Sequence, residues 1–348
     1  MPITSRNYVF LSMKIISPLV AVLLSQQAAS GEPCEGPGDC AAKNADSTVS
    51  IVPLEDRYRV TIGGKLFAEY VFRGYEKPIV YPIIGPHGIG MTRNYPMRDD
   101  VVGEAHDHPH HKSMWFAHRP ISGYDMWSTF PDAGKCVQDK LVKLQDGSDR
   151  GVIQTANHWL THNGKLLFTD SRRLVFQAIA GVRAIDWEIT IHASQDEVVF
   201  GDSKEGTMAI RTHPNLRLDN DPGRGVTTAN GQALNSEGSR NNEVWGKRAD
   251  WIDYWAEVDG HTVGIAIFDH PANPRHPTHW MARGYGYIGA NPFGLNAFEG
   301  KPPGSGDMKI AAGGSVTFRY RFLFHEGDPQ LADIAGRYQQ WEEEETRK

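Results

Sequence analysis

From Arg57 onward, polar and apolar residues trade places at every second position. In "RYRVTIGGKLFAEYVF" Tyr58, Val60 and Ile62 alternate with polar neighbours up to Gly63-Gly64, after which Leu66 resumes the pattern. A period of two interrupted by paired glycines predicts a β-hairpin. The stretch from Leu141 to Ser194 repeats the pattern, with turn signals at Asp146-Gly147 and Asn163-Gly164. Two more strands are predicted by "TVGIAIFDH" and "SVTFRYRFLFHEG". Only the C-terminal end changes period: after Pro329, Leu331, Ile334, Ala335, Tyr338 and Trp341 recur every three or four residues, which predicts one amphipathic helix packed on a sheet. Strands do not alternate with helices, so a TIM barrel or a Rossmann fold is disfavoured. The expectation is an all-β protein, a large antiparallel β-sandwich of the supersandwich type with a C-terminal helix, over residues 51–348 as a single domain.

Ahead of that body, Arg6 and Lys14 precede the apolar run Ile15 to Leu24, and small residues follow near Ser30, so residues 1–30 read as an export signal. Residues 31–50 lack apolar period and read as a flexible linker, in which Cys34 and Cys40 could pair in an oxidising compartment, leaving Cys136 as a buried thiol. The expected location is periplasmic or extracellular, with no membrane span once the signal is removed. The chain carries a formal charge of -6, and loss of Arg6 and Lys14 with the signal makes it -8. With no run of Lys or Arg, nucleic acid is excluded as a partner.

Candidate chemistry is concentrated in "GEAHDHPHHKSMWFAHR", Gly103 to Arg119, which holds five of the fifteen histidines. In an extended chain His106, His108 and His110 would share one face, with Asp107 and His111 on the other, and Pro109 would confine the segment to an edge or loop. His108 and His110 could hold a divalent metal, with Glu104 or His118 completing an N/O set for zinc, iron or manganese. Alternatively, imidazoles bind sugar hydroxyls or move protons near neutral pH. A second stretch, "FDHPANPRHPTHW", repeats Asp-His-Pro and offers His270, Arg275, His276 and His279. "GDSKEGTMAIRTHP" places Lys204 and Glu205 at a strand entrance, with Arg211 and His213 after it, and "GYGYIGANPFGLNAFEG" adds Tyr285, Tyr287, Asn291 and Glu299 behind Arg283. No phosphate-binding Gly-rich loop or Gly-x-Ser-x-Gly elbow is present, which argues against nucleotide-dependent and serine-hydrolase chemistry.

The blocks "TRNYPM", "GEAHDHPHHKSMWFAH", "GYDMW", "GDSKEG", "WGKRADWIDY", "IAIFDHPANPRHPT" and "NPFG" resemble those of the secreted bacterial PmoA family, over about Val60 to Phe324. A weaker likeness is to the galactose mutarotase-like sandwiches. It rests on Arg93 and on "HRPISGYD", where His118, Gly123, Tyr124 and Asp125 keep the spacing but Arg119 and Pro120 stand where that family has two glycines. This second resemblance implies a sugar-contacting His118, with His213 as acid and Glu299 as base.

The leading expectation is an exported carbohydrate-active enzyme, an epimerase, lyase or hydrolase, acting on a small-molecule or oligosaccharide substrate. Its acid–base residues would be drawn from His110, Glu205, His213 and Glu299, and its substrate contacts from Arg93, His108, His118, Lys204, Arg211, His270, Arg275 and Arg283. Two alternatives stand beside it: a metalloenzyme, oxygenase or hydrolase, built on His108 and His110, and a non-catalytic carbohydrate-binding protein.

Overall fold

The period-two segments form two eight-stranded antiparallel sheets in the computed structural model, which describes residues 47–179 and 181–346. The first sheet runs β1 (Val49–Pro53), β2 (Arg57–Ile62), β3 (Lys65–Val71), β4 (Ile79–Ile83), β5 (Met114–His118), β11 (Gly206–Arg211), β16 (Tyr287–Asn291) and β15 (His279–Arg283). The second runs β12 (Gln232–Asn235), β13 (Trp251–Val258), β14 (His261–Asp269), β18 (Ser315–Glu326), β9 (Val182–His192), β8 (Leu166–Ile179), β7 (Arg150–Leu160) and β6 (Lys135–Gln145). A small pair, β10 (Val198–Phe200) and β17 (Met308–Ile310), stands apart. The expected turns fall where the glycines require them: Gly63 and Gly64 join β2 to β3 at φ 56 and 72, and Gly164 sits between β7 and β8 at φ 84, a left-handed region that costs glycine nothing.

Alternation decides what each face does. Met114 and Phe116 of β5, Met208 and Ile210 of β11, and Ile288 and Ala290 of β16 enter one large apolar cluster with Phe176, Phe318 and Phe324 from the second sheet. Trp115, Ala117, Ala209 and Tyr287, the residues between them, form a separate cluster on the other face of the first sheet. Both faces of β5 and β11 are covered, so every residue in these strands is buried.

The outer face of the second sheet is covered by α2 (Ile334–Thr346), preceded in the chain by the short α1 (Leu295–Glu299). Ile334, Tyr338 and Trp341 pack against Ala184, Trp251, Phe268 and Leu323. Leu331 and Ala335, expected on that face, are exposed. Leu331 lies in the turn before α2, where the helical period does not yet apply, and Ala335 follows Ile334 directly and so points away from it.

β1 begins at Val49, inside the segment read as linker, because Val49 pairs with Ile62 of β2 and bridges to Gly147. The leader at 1–30 and the pair Cys34 and Cys40 lie outside the described residues. Cys136 is a buried thiol, with Arg172 Nη2 3.0 Å from its Sγ beside the fully buried Asp170. Among the described residues no helix is long and apolar enough to cross a membrane.

Candidate active site

Among the described residues, the outer face of the first sheet is covered by loops and by the short α1, whose Phe298 packs on its apolar cluster. Its floor is aromatic: Trp115 from β5, Tyr287 from β16 and Trp127 from the following loop pack together, and the buried ring of His111 lies on them, 4.8 Å from Tyr287 and 5.4 Å from Trp115. Burial and the neighbouring Arg211 hold His111 well below the ordinary histidine pKa, so its neutral Nδ1, 3.2 Å from Nη1 of Arg211, accepts a hydrogen bond from it.

The histidine segment is a loop and not a strand. The backbone N–H of His111 donates to the carbonyl of His108, and His108 itself sits at φ 44, an uncommon conformation for a non-glycine residue. This turn overturns the extended reading in which His106, His108 and His110 share a face. His108 instead stacks on His111 at 4.7 Å and on Tyr285 at 5.2 Å, whereas exposed His106 stacks on Tyr95.

Asp107 is the node of the loop. Its Oδ1 accepts from Nη1 of Arg93 at 2.5 Å and from Nη2 of Arg211 at 2.9 Å, and its Oδ2 lies 3.2 Å from Nδ1 of His108. Burial works against ionisation, but the His108 contact and the Arg211 and Arg93 guanidinia together hold the Asp107 carboxyl well below the usual range. Arg93 also donates to the carbonyls of Tyr95, Ala105, His108 and His111, so its buried side chain shapes the turn. Among the described residues nothing hydrogen-bonds Nε2 of His108, whose side chain is 41% exposed. An imidazole tied at Nδ1 to a fixed carboxylate and open at Nε2 can accept or deliver a proton.

His108 lines a groove of about 520 Å³ together with Asp107, Arg217, Asp221, Trp245, Arg283 and Tyr285. Some of its charges are already matched, since Arg224 and Arg217 reach Asp221 at 2.8 and 3.8 Å, whereas Asp219 accepts from the neutral amide of Asn242. Arg283 differs. Its guanidinium lies 5.9 Å from the Trp245 ring and 5.7 Å from the Tyr285 ring, and among the described residues it makes no hydrogen bond or ion pair. The Tyr285 hydroxyl also has no hydrogen bond among them, and burial raises its pKa, so it stays protonated. The groove therefore combines an imidazole tied to a carboxylate through one nitrogen, a neutral phenol, a guanidinium without an ion-pair partner among the described residues, and two aromatic faces.

A family model described as a family of unknown function matches residues 57–339. The chain belongs to DUF6807. No curated protein matches it. Similar solved structures include an α-galactosidase from Lactobacillus brevis, 10% identical, covering 80% of this chain and 39% of that one at a TM-score of 0.30. A glycoside hydrolase family 97 enzyme from Pseudoalteromonas sp. is 11% identical, with 80% and 34% covered at 0.32. A galactose mutarotase-like protein from Lactobacillus casei is 7% identical, with 80% and 100% covered at 0.32. The DUF6807 chain thus spans about two-fifths or less of the first two enzymes. The DUF6807 description carries no activity, so the PmoA likeness remains a resemblance.

Of the expected site residues in this DUF6807 chain, the groove and its supports gather His108, Arg93, Arg211 and Arg283. His110 sits just behind, edge-on to Trp127, and burial with nearby Lys77 pushes its pKa down to about 3. Glu205, 4.0 Å from exposed Lys204, is close enough for its charge to raise Tyr285 and Tyr287, without lining the groove. The others serve the fold. His118 is fully buried in the interlayer core beside Phe200 and Phe293, 2.7 Å from the Gly201 carbonyl, because strand alternation turns it to the same side as Phe116. His213 caps a 3-10 turn by accepting from Asn215, and Arg275 donates to the carbonyls of Pro292, Gly306 and Asp307. His270 packs edge-on to Trp341 of α2. Glu299 is bound by His279 at 2.9 Å and Arg248 at 3.3 Å.

His108 and His110 have ring centroids 5.7 Å apart. The group of three metal-ligating side chains that converges among the described residues lies elsewhere, at His87, His261 and Glu326. Asp107, Trp245 and the loop from Arg217 to Arg224 are not among the expected site residues. For Asp107 the signal was its adjacency to His108; for the loop it was the charged run "RLDNDPGR" after β11.

Proposed function

We propose that this exported DUF6807 protein is a carbohydrate-active lyase or epimerase for sugars bearing a carboxylate, with His108 as the proton-transfer residue. The observation that carries the reading is the Asp107–His108 pair, whose open Nε2 shares a groove with the unmatched Arg283 guanidinium. A sugar ring stacks on Trp245 or Tyr285, and its carboxylate pairs with Arg283. Neutralising that carboxylate acidifies the adjacent C–H, and Nε2 of His108 accepts the proton while the electron pair moves into an enolate held by Arg283. In elimination the pair then forms the C=C bond, the β C–O bond breaks, and the Tyr285 hydroxyl protonates the departing oxygen. In epimerisation the Tyr285 hydroxyl delivers a proton to the carbon from the opposite face, and the proton held by His108 passes to solvent as the tyrosinate takes one up.

The test is a panel of neutral and uronic-acid oligosaccharides, followed by the ultraviolet absorbance of the conjugated double bond and by proton exchange in heavy water. His108→Ala is expected to lower kcat by about 10²–10⁴-fold, the range of a lost general base, with KM little changed. Arg283→Met should instead raise KM for acidic substrates. Turnover that survives His108→Ala, or a panel in which no acidic sugar reacts, refutes the enzyme reading. Acidic-sugar binding without turnover would favour the second reading, a binding protein, which the Trp245 and Tyr285 faces support without any need for His108.

A further inference from the structure

Away from the groove, three side chains from separate segments meet at the surface. His87 lies in the 3-10 turn Pro86–Gly88 that leaves β4 of the first sheet, at φ 56, and the turn is closed by Ile89 donating to Pro86 and Gly85 donating to Ile89. His261 opens β14 of the second sheet after the Asp259-Gly260 turn, paired with Val258, and Glu326 ends β18 opposite Val263. Nε2 of His87 is 3.2 Å from Oε1 of Glu326, the His87 and His261 rings stack at 3.7 Å, and one ligand atom from each of the three lies within 4.8 Å of the others.

We infer that His87, His261 and Glu326 form a site for a zinc-class divalent cation that clips the β4–β5 connection of the first sheet to the β13–β14 hairpin and the end of β18 in the second. Two imidazoles and a carboxylate are a ligand set that zinc and its neighbours accept, with solvent filling the remaining position. The ion takes the place of the proton between His87 and Glu326 and draws in Nε2 or Nδ1 of His261. Parallel stacked rings aim their lone pairs side by side, so loading turns both exposed imidazoles about their Cβ–Cγ bonds and opens the stack. The backbone need not move, because the turn and the two strand ends are already held by main-chain hydrogen bonds. Bridging two sheets, the ion binds the folded chain and not the separated strands, so it raises the unfolding midpoint by mass action.

The experiment uses the full chain without a polyhistidine tag, stripped with a chelator and titrated with zinc chloride at pH 7.5 by calorimetry. Thermal unfolding is followed in parallel. One ion per chain is expected, with affinity reduced more than about ten-fold in each of His87→Ala, His261→Ala and Glu326→Gln, since even groups behind a metal's ligands are worth that much. Zinc should raise the unfolding midpoint of the parent and of His158→Ala, which removes another exposed histidine, 3.9 Å from Asp139, but not that of the three site variants. Cobalt absorption in the parent reports the ligand geometry and separates a lost ligand from a misfolded variant. Absence of saturable binding, or binding that the three substitutions leave unchanged, overturns the inference.

Discussion

Replacing Asp107 with asparagine keeps the shape of the node and removes its charge, which isolates what that charge does. Asp107 accepts from Nη1 of Arg93 and Nη2 of Arg211, whose residues are 2% and 1% exposed. Each bond changes from charge-assisted to neutral, a loss of about 1–1.5 kcal/mol per bond. Two such bonds give about 2–3 kcal/mol, and a buried cation left without its partner brings the total toward about 3–5 kcal/mol. The pH dependence follows from the depressed Asp107 carboxyl. Its contribution is fully present above the unfolded value of 3.8 and is lost as pH falls through the folded value. At pH 3 the unfolded chain has largely taken up that proton while the folded one has not, so the gap between parent and variant shrinks by about 1 kcal/mol relative to pH 7. Urea unfolding followed by tryptophan fluorescence at both pH values measures it. A loss below about 1 kcal/mol at pH 7, or a gap that does not narrow at pH 3, would show that the two arginines do not depend on this charge.

Other substitutions separate fold from site. His118→Ala should cost about 2–4 kcal/mol in urea unfolding, from the cavity beside Phe200 and Phe293 and the orphaned Gly201 carbonyl, while leaving ligand binding in the groove intact. A sugar-contacting His118 would give the opposite result. Trp341→Ala should cost about 3–5 kcal/mol in the same assay by stripping Phe268 and Arg321 of their cover. Lys77, buried and donating to the Trp127 carbonyl at 2.7 Å, has its pKa pushed down to about 8 by burial and Lys112, against 10.5 when unfolded. The folded chain binds that proton less tightly, so stability should rise between pH 8 and 10.5, and Lys77→Met should flatten the rise. A rise that persists in Lys77→Met assigns it to another group.

The fold was largely legible because strand period and glycine turns are local signals: the hairpins at Gly63-Gly64 and Asn163-Gly164 need only their own residues. The site was legible in part. Arg211 and Arg283 are recognisable as polar groups at strand ends, and Arg93 and His108 as polar groups in the connection before β5, but their convergence depends on β11 lying between β5 and β16, a pairing that no local pattern contains. The repeated Asp-His-Pro shows the limit. At residues 107–109 the aspartate binds two arginines and the histidine faces the groove. At 269–271 the aspartate instead accepts from Asn273 and Thr278, with His276 Nδ1 2.8 Å away, and organises the loop beneath α2. The same three residues do different work because one copy lies on the outer face of the first sheet and the other beside the helix.

That asymmetry between the outer faces accounts for where chemistry can occur. The space between the sheets is filled by Phe67, Phe116, Phe176, Phe318 and Phe324, which leaves a histidine placed there, such as His118, without a substrate to meet. The second sheet's outer face is covered in part by α2, whose Ile334, Tyr338 and Trp341 pack on Ala184, Trp251, Phe268 and Leu323. The first sheet's outer face also presents tryptophans and tyrosines that must be kept from water, and the cover there is the His-rich loop together with Phe298 of α1 and flanking loop residues such as Tyr75 and Met97. A loop can do this only if its own polar backbone is satisfied, and the five donated bonds of Arg93, four of them to loop carbonyls, meet that need. The dry aromatic floor in turn strengthens the Arg93–Asp107–Arg211 pairing, because charges interact more strongly away from water. The arrangement that protects the apolar face is therefore the same one that holds His108 in its left-handed turn at the lip of the groove. Stability of the loop and orientation of the proton-transfer residue rest on one carboxylate, and a variant that loosens Asp107 must alter both.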